Sequence, residues 1–446
     1  AAPPVDLATA LLTGQAPDRG LYWPEQLPRL PAGELAGLAA RPYHEVAFRV
    51  LRPFTQGMLP DDALARLCAD AYDFPVPLEP VIGRRALLRL DRGPTASFKD
   101  FAARLMARWM SALLAARGEQ RLILTATSGD TGSAVARAYH GVPGVRVVVL
   151  FPPGEVSDRQ RRQMTTVGGN VATLAVAGQF DDCQALVKRA FADPALADLP
   201  LTSANSINIG RLLPQAVYYV YAWANWATRG APLLVSVPSG NFGNLMGAVV
   251  ARELGVPLQR LIIATNANDE VPVFLRTGRY APIVPSRVCI SSAMNVGHPS
   301  NLARLVAHYG GWLDETGTLQ RPPDLDRLRA DLYAISISDA TTRATIRAVH
   351  SDYGPLLDPH TAVAWAGLSS YAADVDEDDT VPAVVVATAH PAKFPDEVRA
   401  ATGVEPPVPP ALAGLDDRLE QHIALPADYD AFRDWLLEHA RRTASA

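Results

Sequence analysis

Cysteine is nearly absent. The 446 residues hold Cys68, Cys183 and Cys289 alone, an odd number far apart, which excludes a disulfide framework and reads as packing thiols of a reducing compartment. No apolar run approaches the ~18 residues of a membrane span, and the opening Ala1 to Asp6 lacks the basic and apolar regions of a secretory signal. The expectation is a cytoplasmic protein with no membrane partner. Basic residues number 41 against 46 acidic, a net charge of −5, and no basic run is long enough to follow a phosphate backbone, so nucleic acid is not expected as a partner. Missing too are a Cys/His cluster at metal-ligand spacing and a Gly-x-Ser-x-Gly elbow, so neither a metal centre nor a serine triad is expected.

What the chain does have is apolar content of 48% with 20% charged residues, enough for sizeable cores. Its length suggests two or three packed units at roughly 150 residues each. The recurring theme is an apolar β-branched run, a Gly-containing turn, then helical periodicity, the pattern of parallel α/β sheets. Strands are predicted at 86–90, 121–126, 145–151, 171–176, 233–237, 261–265 and 383–387. A helix following Gly93-Pro94-Thr95 carries the stripe Phe98, Phe101, Leu105, Trp109 and Leu113, and a second periodic helix is predicted directly after Arg211. The organisation predicted is an N-terminal, mainly helical segment (1–80), a large domain (81–110 and 205–410), a smaller α/β domain inserted at 111–204, and a helical C-terminal tail (411–446).

Lys99 sits in the first turn of the first of these helices, where the positive end of the helix dipole and partial burial both favour the neutral amine, the form that attacks an aldehyde. A snorkelling surface lysine is the plain alternative. Gly240-Asn241-Phe242-Gly243-Asn244 lies between a strand and a helix, where bare backbone N–H groups can bind a phosphate, although ordinary turn chemistry writes the same pattern. Ser128-Gly129-Asp130-Thr131-Gly132 repeats that architecture with hydroxyls, and Asp130 could equally be an N-cap. Asn205-Ser206-Ile207-Asn208 with Arg211 gathers amides, a hydroxyl and a guanidinium around a helix start. Thr388 ends an apolar strand, the edge where open α/β sheets keep ligands, with His390 and Lys393 near it. One amine nucleophile and three anion-binding turns suit pyridoxal phosphate.

Taken together, Gly93-Pro94-Thr95 with Phe98-Lys99-Asp100, Thr127-Ser128-Gly129-Asp130-Thr131-Gly132, Asn205 to Asn208, Pro238 to Asn244 and Thr388-Ala389-His390-Pro391-Ala392-Lys393-Phe394 closely resemble the threonine synthase family, in that family's order and over nearly the whole chain. The resemblance implies a fold type II pyridoxal-phosphate enzyme converting O-phospho-L-homoserine and water into L-threonine and phosphate. It further implies that Lys99 carries the cofactor and moves protons at the substrate, that Gly240, Asn241, Phe242, Gly243 and Asn244 cradle the cofactor phosphate, and that Thr388 meets the ring nitrogen. Thr127, Ser128, Asp130 and Thr131 would meet the substrate carboxylate and its neighbourhood, and Asn205, Ser206 and Arg211 its phosphate. The partner implied is a phosphorylated amino acid, with the protein a monomer or homodimer.

Three positions depart from the family's habit: Arg92 where His is common, Glu155 where a basic residue is usual, and Asn295 for Asp. An acid beside a substrate phosphate would be unfavourable, so Glu155 either faces away or marks another substrate. Two other readings stay open on the residues alone: a related lyase ending in an α-keto acid, and a phosphate-binding protein without covalent chemistry.

Overall fold

A computed structural model describes residues 2–227, 230–375 and 380–444. Two sheets organise it. The larger contains β1 (Leu78–Ile82), β2 (Arg85–Arg89), β7 (Leu233–Pro238), β8 (Leu258–Thr265), β11 (Leu332–Ser336) and β12 (Ala383–Ala387) in the order β1-β2-β12-β7-β8-β11. All its neighbours run parallel except the β1/β2 hairpin at one edge. The smaller contains β3 (Arg121–Ala126), β4 (Val145–Phe151), β5 (Val171–Ala177), β6 (Leu201–Ser203) and β13 (Ile423–Pro426) in the parallel order β13-β5-β4-β3-β6. A separate two-stranded ribbon pairs β9 (Trp312–Leu313) with β10 (Leu319–Arg321).

Strands such as β4 and β12 are near-continuous runs of valine, which suits sheets covered on both faces. On the larger sheet, helices 339–353 and 359–375 seal Leu87, Leu234, Ile262 and Val385 from water. On the smaller, helices 180–192 and 429–444 seal Leu122, Leu124, Val148 and Leu174. The space between is filled by the helix Lys99–Arg117, whose Phe101, Leu105, Met106, Trp109 and Met110 are all fully buried and which ends at the left-handed Gly118.

Two expectations change. The tail after 411 is not purely helical, because β13 joins the small sheet; only Leu425 of its four residues is buried, so edge pairing rather than a hydrophobic pattern creates it. The helix predicted directly after Arg211 begins at Ala216. Two 3₁₀ turns, 209–211 and 213–215, precede it, the second containing Pro214, which has no N–H to give an α-helix.

Candidate active site

Residues far apart in sequence meet at the C-terminal ends of β2, β3, β7 and β12. Just past β12, Phe98 N–H donates to the Thr388 carbonyl (2.8 Å) and His390 N–H to the Ala96 carbonyl (3.0 Å), with Ser97 and Ala389 bridged between them. These backbone bonds set Lys99, the first residue of its helix, beside Thr388. The preceding loop is knotted by Asp100, whose buried carboxylate accepts from Thr95 N–H (2.8 Å) and Thr95 Oγ1 (2.7 Å). A Cβ at position 93 would lie 2.5 Å from that carboxylate, so only glycine fits there. Burial pushes Asp100 up to about 6.

The cleft so formed is lined by Lys99, Thr388, residues 239–244, residues 126–128, 130 and 131, Asn205, Ser206 and Arg211. Lys99 has no hydrogen-bond or ion-pair partner among the described residues. Burial is the main reason its amine falls to about 8; Asp130 pulls the other way, and Arg211 and Lys393 add to the fall. Thr388 is buried at the cleft wall.

The turn after β7 holds Phe242 in the left-handed region (φ 62°), which aims the following N–H groups into the start of the helix Gly243–Glu253. Asn244 is held from behind: its Oδ1 accepts from Tyr218 Oη (2.5 Å) and Tyr219 Oη (2.6 Å), while its buried Nδ2 has no acceptor. Asn301 donates through Nδ2 (3.0 Å) to the Asn241 carbonyl. The buried Arg304 donates to the Ser206, Ile207 and Tyr22 carbonyls and thereby fixes the 205–208 turn against the N-terminal segment.

Opposite, Thr127 Oγ1 accepts from the N–H groups of Gly129 (2.9 Å) and Gly132 (2.8 Å), so this hydroxyl builds the turn, and Ser128 and Thr131 are left at the cleft surface. Asp130 Oδ1 is bonded to Lys393 Nζ (2.6 Å) and Gln160 Nε2 (2.9 Å). Asn205 Nδ2 ties to the Ala126 carbonyl (2.8 Å). Arg211 is buried, donates through Nη1 to the Ala204 carbonyl (2.7 Å), keeps a buried Nε with no acceptor, and is lowered by burial to about 10.

Lys99, Thr127, Ser128, Asp130, Thr131, Asn205, Ser206, Arg211, Gly240 to Asn244 and Thr388 therefore line one cleft, whereas Asn208, His390 and Lys393 do not line it. Reading the sequence missed His360, which also lines it: Nδ1 lies 2.7 Å from Asp358 Oδ1 and Nε2 accepts from Ala293 N–H (3.1 Å), so Nδ1 carries the proton and Nε2 a lone pair. Its signal was the Asp-Pro-His-Thr start of a helix, indistinguishable in sequence from simple capping. Arg92, Glu155 and Asn295 are not among the lining residues. The Glu155 carboxylate accepts from Phe180 N–H (3.2 Å), burial raising it, and Asn295 braces its own loop through Asn266 and Cys289.

Residues 81–387 match the family model of pyridoxal-phosphate dependent enzymes, residues 1–72 that of the threonine synthase N terminus and residues 361–436 that of the threonine synthase C-terminal region. The chain is 38% identical to the threonine synthase of Pseudomonas aeruginosa, over 99% of itself and 97% of that relative. It belongs to the threonine synthase family of pyridoxal-phosphate dependent enzymes. Solved members agree: the pyridoxal-phosphate-bound threonine synthase from Brucella melitensis superimposes with a TM-score of 0.90 at 38% identity, covering 99% of this chain and 98% of that one. The threonine synthase from Escherichia coli gives 0.87 at 38% identity, over 98% and 97%. The fold type II architecture of this family is the one described above. No helix of the described residues is long and apolar enough to cross a membrane.

Proposed function

We propose that this chain is a threonine synthase acting on O-phospho-L-homoserine and water to give L-threonine and phosphate, with Lys99 as its cofactor-bearing residue. The single observation that carries the reading is Lys99 itself: an amine with no hydrogen-bond or ion-pair partner among the described residues, in a cleft that a glycine turn at a helix N-terminus also lines. The residues present fit pyridoxal phosphate, since Asn244 Nδ2 has no acceptor, the first-turn N–H groups of the helix Gly243–Glu253 lack intrahelical acceptors and suit a phosphate, and the amine suits an aldehyde.

When bound, pyridoxal phosphate supplies the electron sink for chemistry at the α, β and γ carbons. The protein does the rest. Lys99, available as a neutral amine near pH 8, takes and returns protons at the substrate's α and β carbons. Thr388 presents a neutral hydroxyl to the ring nitrogen, in place of a carboxylate that would hold a proton there. Ser128 and Thr131 receive the substrate carboxylate, Thr127 shaping that turn by accepting from the Gly129 and Gly132 N–H groups. Asn205, Ser206 and Arg211 receive the phosphate, and the unspent Arg211 Nε gives the departing dianion a charged donor. Asp130, held by Lys393, is the acidic boundary between Lys99 and the carboxylate turn.

The test is phosphate release from O-phospho-L-homoserine by the cofactor-loaded enzyme, with the amino-acid product identified. L-threonine in equal amount to phosphate is the expected result. An α-keto acid in its place would move the enzyme to the related lyase reading, and a Lys99→Ala variant that binds cofactor and turns over normally would remove the assignment of Lys99.

A further inference from the structure

Only three lysines occur in this arginine-rich chain: Lys99, Lys188 and Lys393. Lys188 is exposed on a surface helix, whereas Lys393 is completely shut off from water. A fully buried ammonium is costly unless its partners compensate it, and here there are two: Asp130 Oδ1 at 2.6 Å and the Thr95 carbonyl at 3.0 Å. The three groups come from different places. Lys393 closes the 3₁₀ turn after β12 of the large sheet, Asp130 opens the helix after β3 of the small sheet, and Thr95 lies in the loop leading to Lys99.

Asp130 is the one acidic side chain among the described residues lining the cleft, and its charge acts on Lys99, which lines the same cleft. The other charged groups acting on Lys99 are cationic, Arg211 and Lys393, and His360 lines the same cleft with its proton turned to Asp358. An uncompensated carboxylate at 130 would hold Lys99 as an ammonium, which can neither attack an aldehyde nor accept a proton from carbon.

We propose that Lys393 is a positioning residue that engages Asp130 from behind the cleft wall, so that Asp130 keeps its place without capturing the Lys99 amine. The inference rests on Lys99 being the cofactor-bearing residue. It adds that the nucleophile's availability is set by a second lysine that does not line the cleft. Gln160 Nε2, at 2.9 Å on the same oxygen, fixes the carboxylate's orientation but brings no charge, so it cannot replace Lys393.

The experiment is competitive acetylation of the full-length chain stripped of cofactor, across pH, with the extent at each lysine read by mass spectrometry and Lys188 as internal standard. Wild type is expected to label at Lys99 with a midpoint near 8. In Lys393→Met the Lys99 midpoint rises by at least about one unit, roughly a tenfold loss of labelling at neutral pH. In Lys393→Met/Asp130→Asn, with both charges gone, it returns to within about half a unit of wild type. An unmoved midpoint in the single variant, or a raised midpoint in the double variant, overturns the proposal. Should the single variant not fold, the double variant decides alone: a folded protein with the wild-type midpoint supports the proposal, and failure of the double variant to fold overturns it, because a pair acting through charge is dispensable once both charges are removed. Failure of the cofactor assignment is a separate result, read from whether Lys99→Ala still takes up pyridoxal phosphate.

Discussion

Asn244 allows the two tasks of a cofactor wall, staying folded and binding an anion, to be separated. Its Oδ1 is the only acceptor of Tyr219 Oη among the described residues, whereas Tyr218 Oη has a second acceptor in Gln215 Oε1 at 2.9 Å. Asn244→Leu therefore strands one buried hydroxyl, at a cost of about 1–3 kcal/mol, and also removes an Nδ2 that has no protein partner, which returns part of it. The net loss expected for the cofactor-free chain is about 1–2 kcal/mol by urea denaturation, and Asn244→Leu/Tyr219→Phe should recover most of it, since replacing both partners by apolar groups is close to neutral. Asn244→Asp behaves differently. The carboxylate still accepts from the tyrosines, so stability holds, but a negative charge now borders the phosphate cradle; two unit charges 4 Å apart at an effective dielectric of 20 interact by about 4 kcal/mol, enough for a more than 100-fold loss of pyridoxal-phosphate affinity by fluorescence titration. Equal cofactor affinity in Asn244→Asp and wild type would refute the anion-binding role, and a Leu variant as stable as wild type would refute the hydroxyl argument.

Capture of pyridoxal phosphate by the stripped chain should accelerate about tenfold per pH unit up to a midpoint near 8 and then level off, because only the neutral Lys99 amine attacks; a midpoint at the ordinary lysine value, about 10.4, would contradict the burial of this residue. Phe432→Ala, at a fully buried position on the helix 429–444, should destabilise the small sheet by about 3–5 kcal/mol in chemical denaturation and show that the C-terminal helix belongs to that core. The Arg161 guanidinium holds Glu420 down to about 2 through bonds of 2.9 and 3.0 Å, with Thr165 Oγ1 adding a third at 2.7 Å. A depressed carboxyl contributes stability that is present above its unfolded value of 4.5 and lost as pH falls through 2, so Glu420→Ala should cost about 1 kcal/mol at pH 7 and nothing near pH 2, measured by thermal unfolding at each pH.

Local signals carried the sequence reading a long way. Valine-rich runs located β4 and β12 to the residue, because a strand buried on both faces leaves no alternation to misread. The stripe on the Lys99 helix and the glycine turns at 129 and 240 were legible for the same reason: each is a short-range constraint written in consecutive residues. β13 was not, since its four residues gain strand geometry from β5 and show no pattern of their own. Nor was the shift of a helix start to Ala216, which waited on Pro214 and the packing around it.

The amino-acid order thus determined which residue types were available for chemistry, an amine at a helix start, anion-binding turns and a hydroxyl at a strand end, because those depend on neighbours one to five positions away. Tertiary structure alone decided which of them touch. The bonds from Phe98 N–H to the Thr388 carbonyl and from His390 N–H back to the Ala96 carbonyl put Lys99 beside Thr388, and the closure of one sheet on the other paired Lys393 with Asp130. Those contacts join segments far apart along the chain, and what fixes them is the shared burial of both sheets against the Lys99 helix, a property of the folded whole that consecutive residues do not carry.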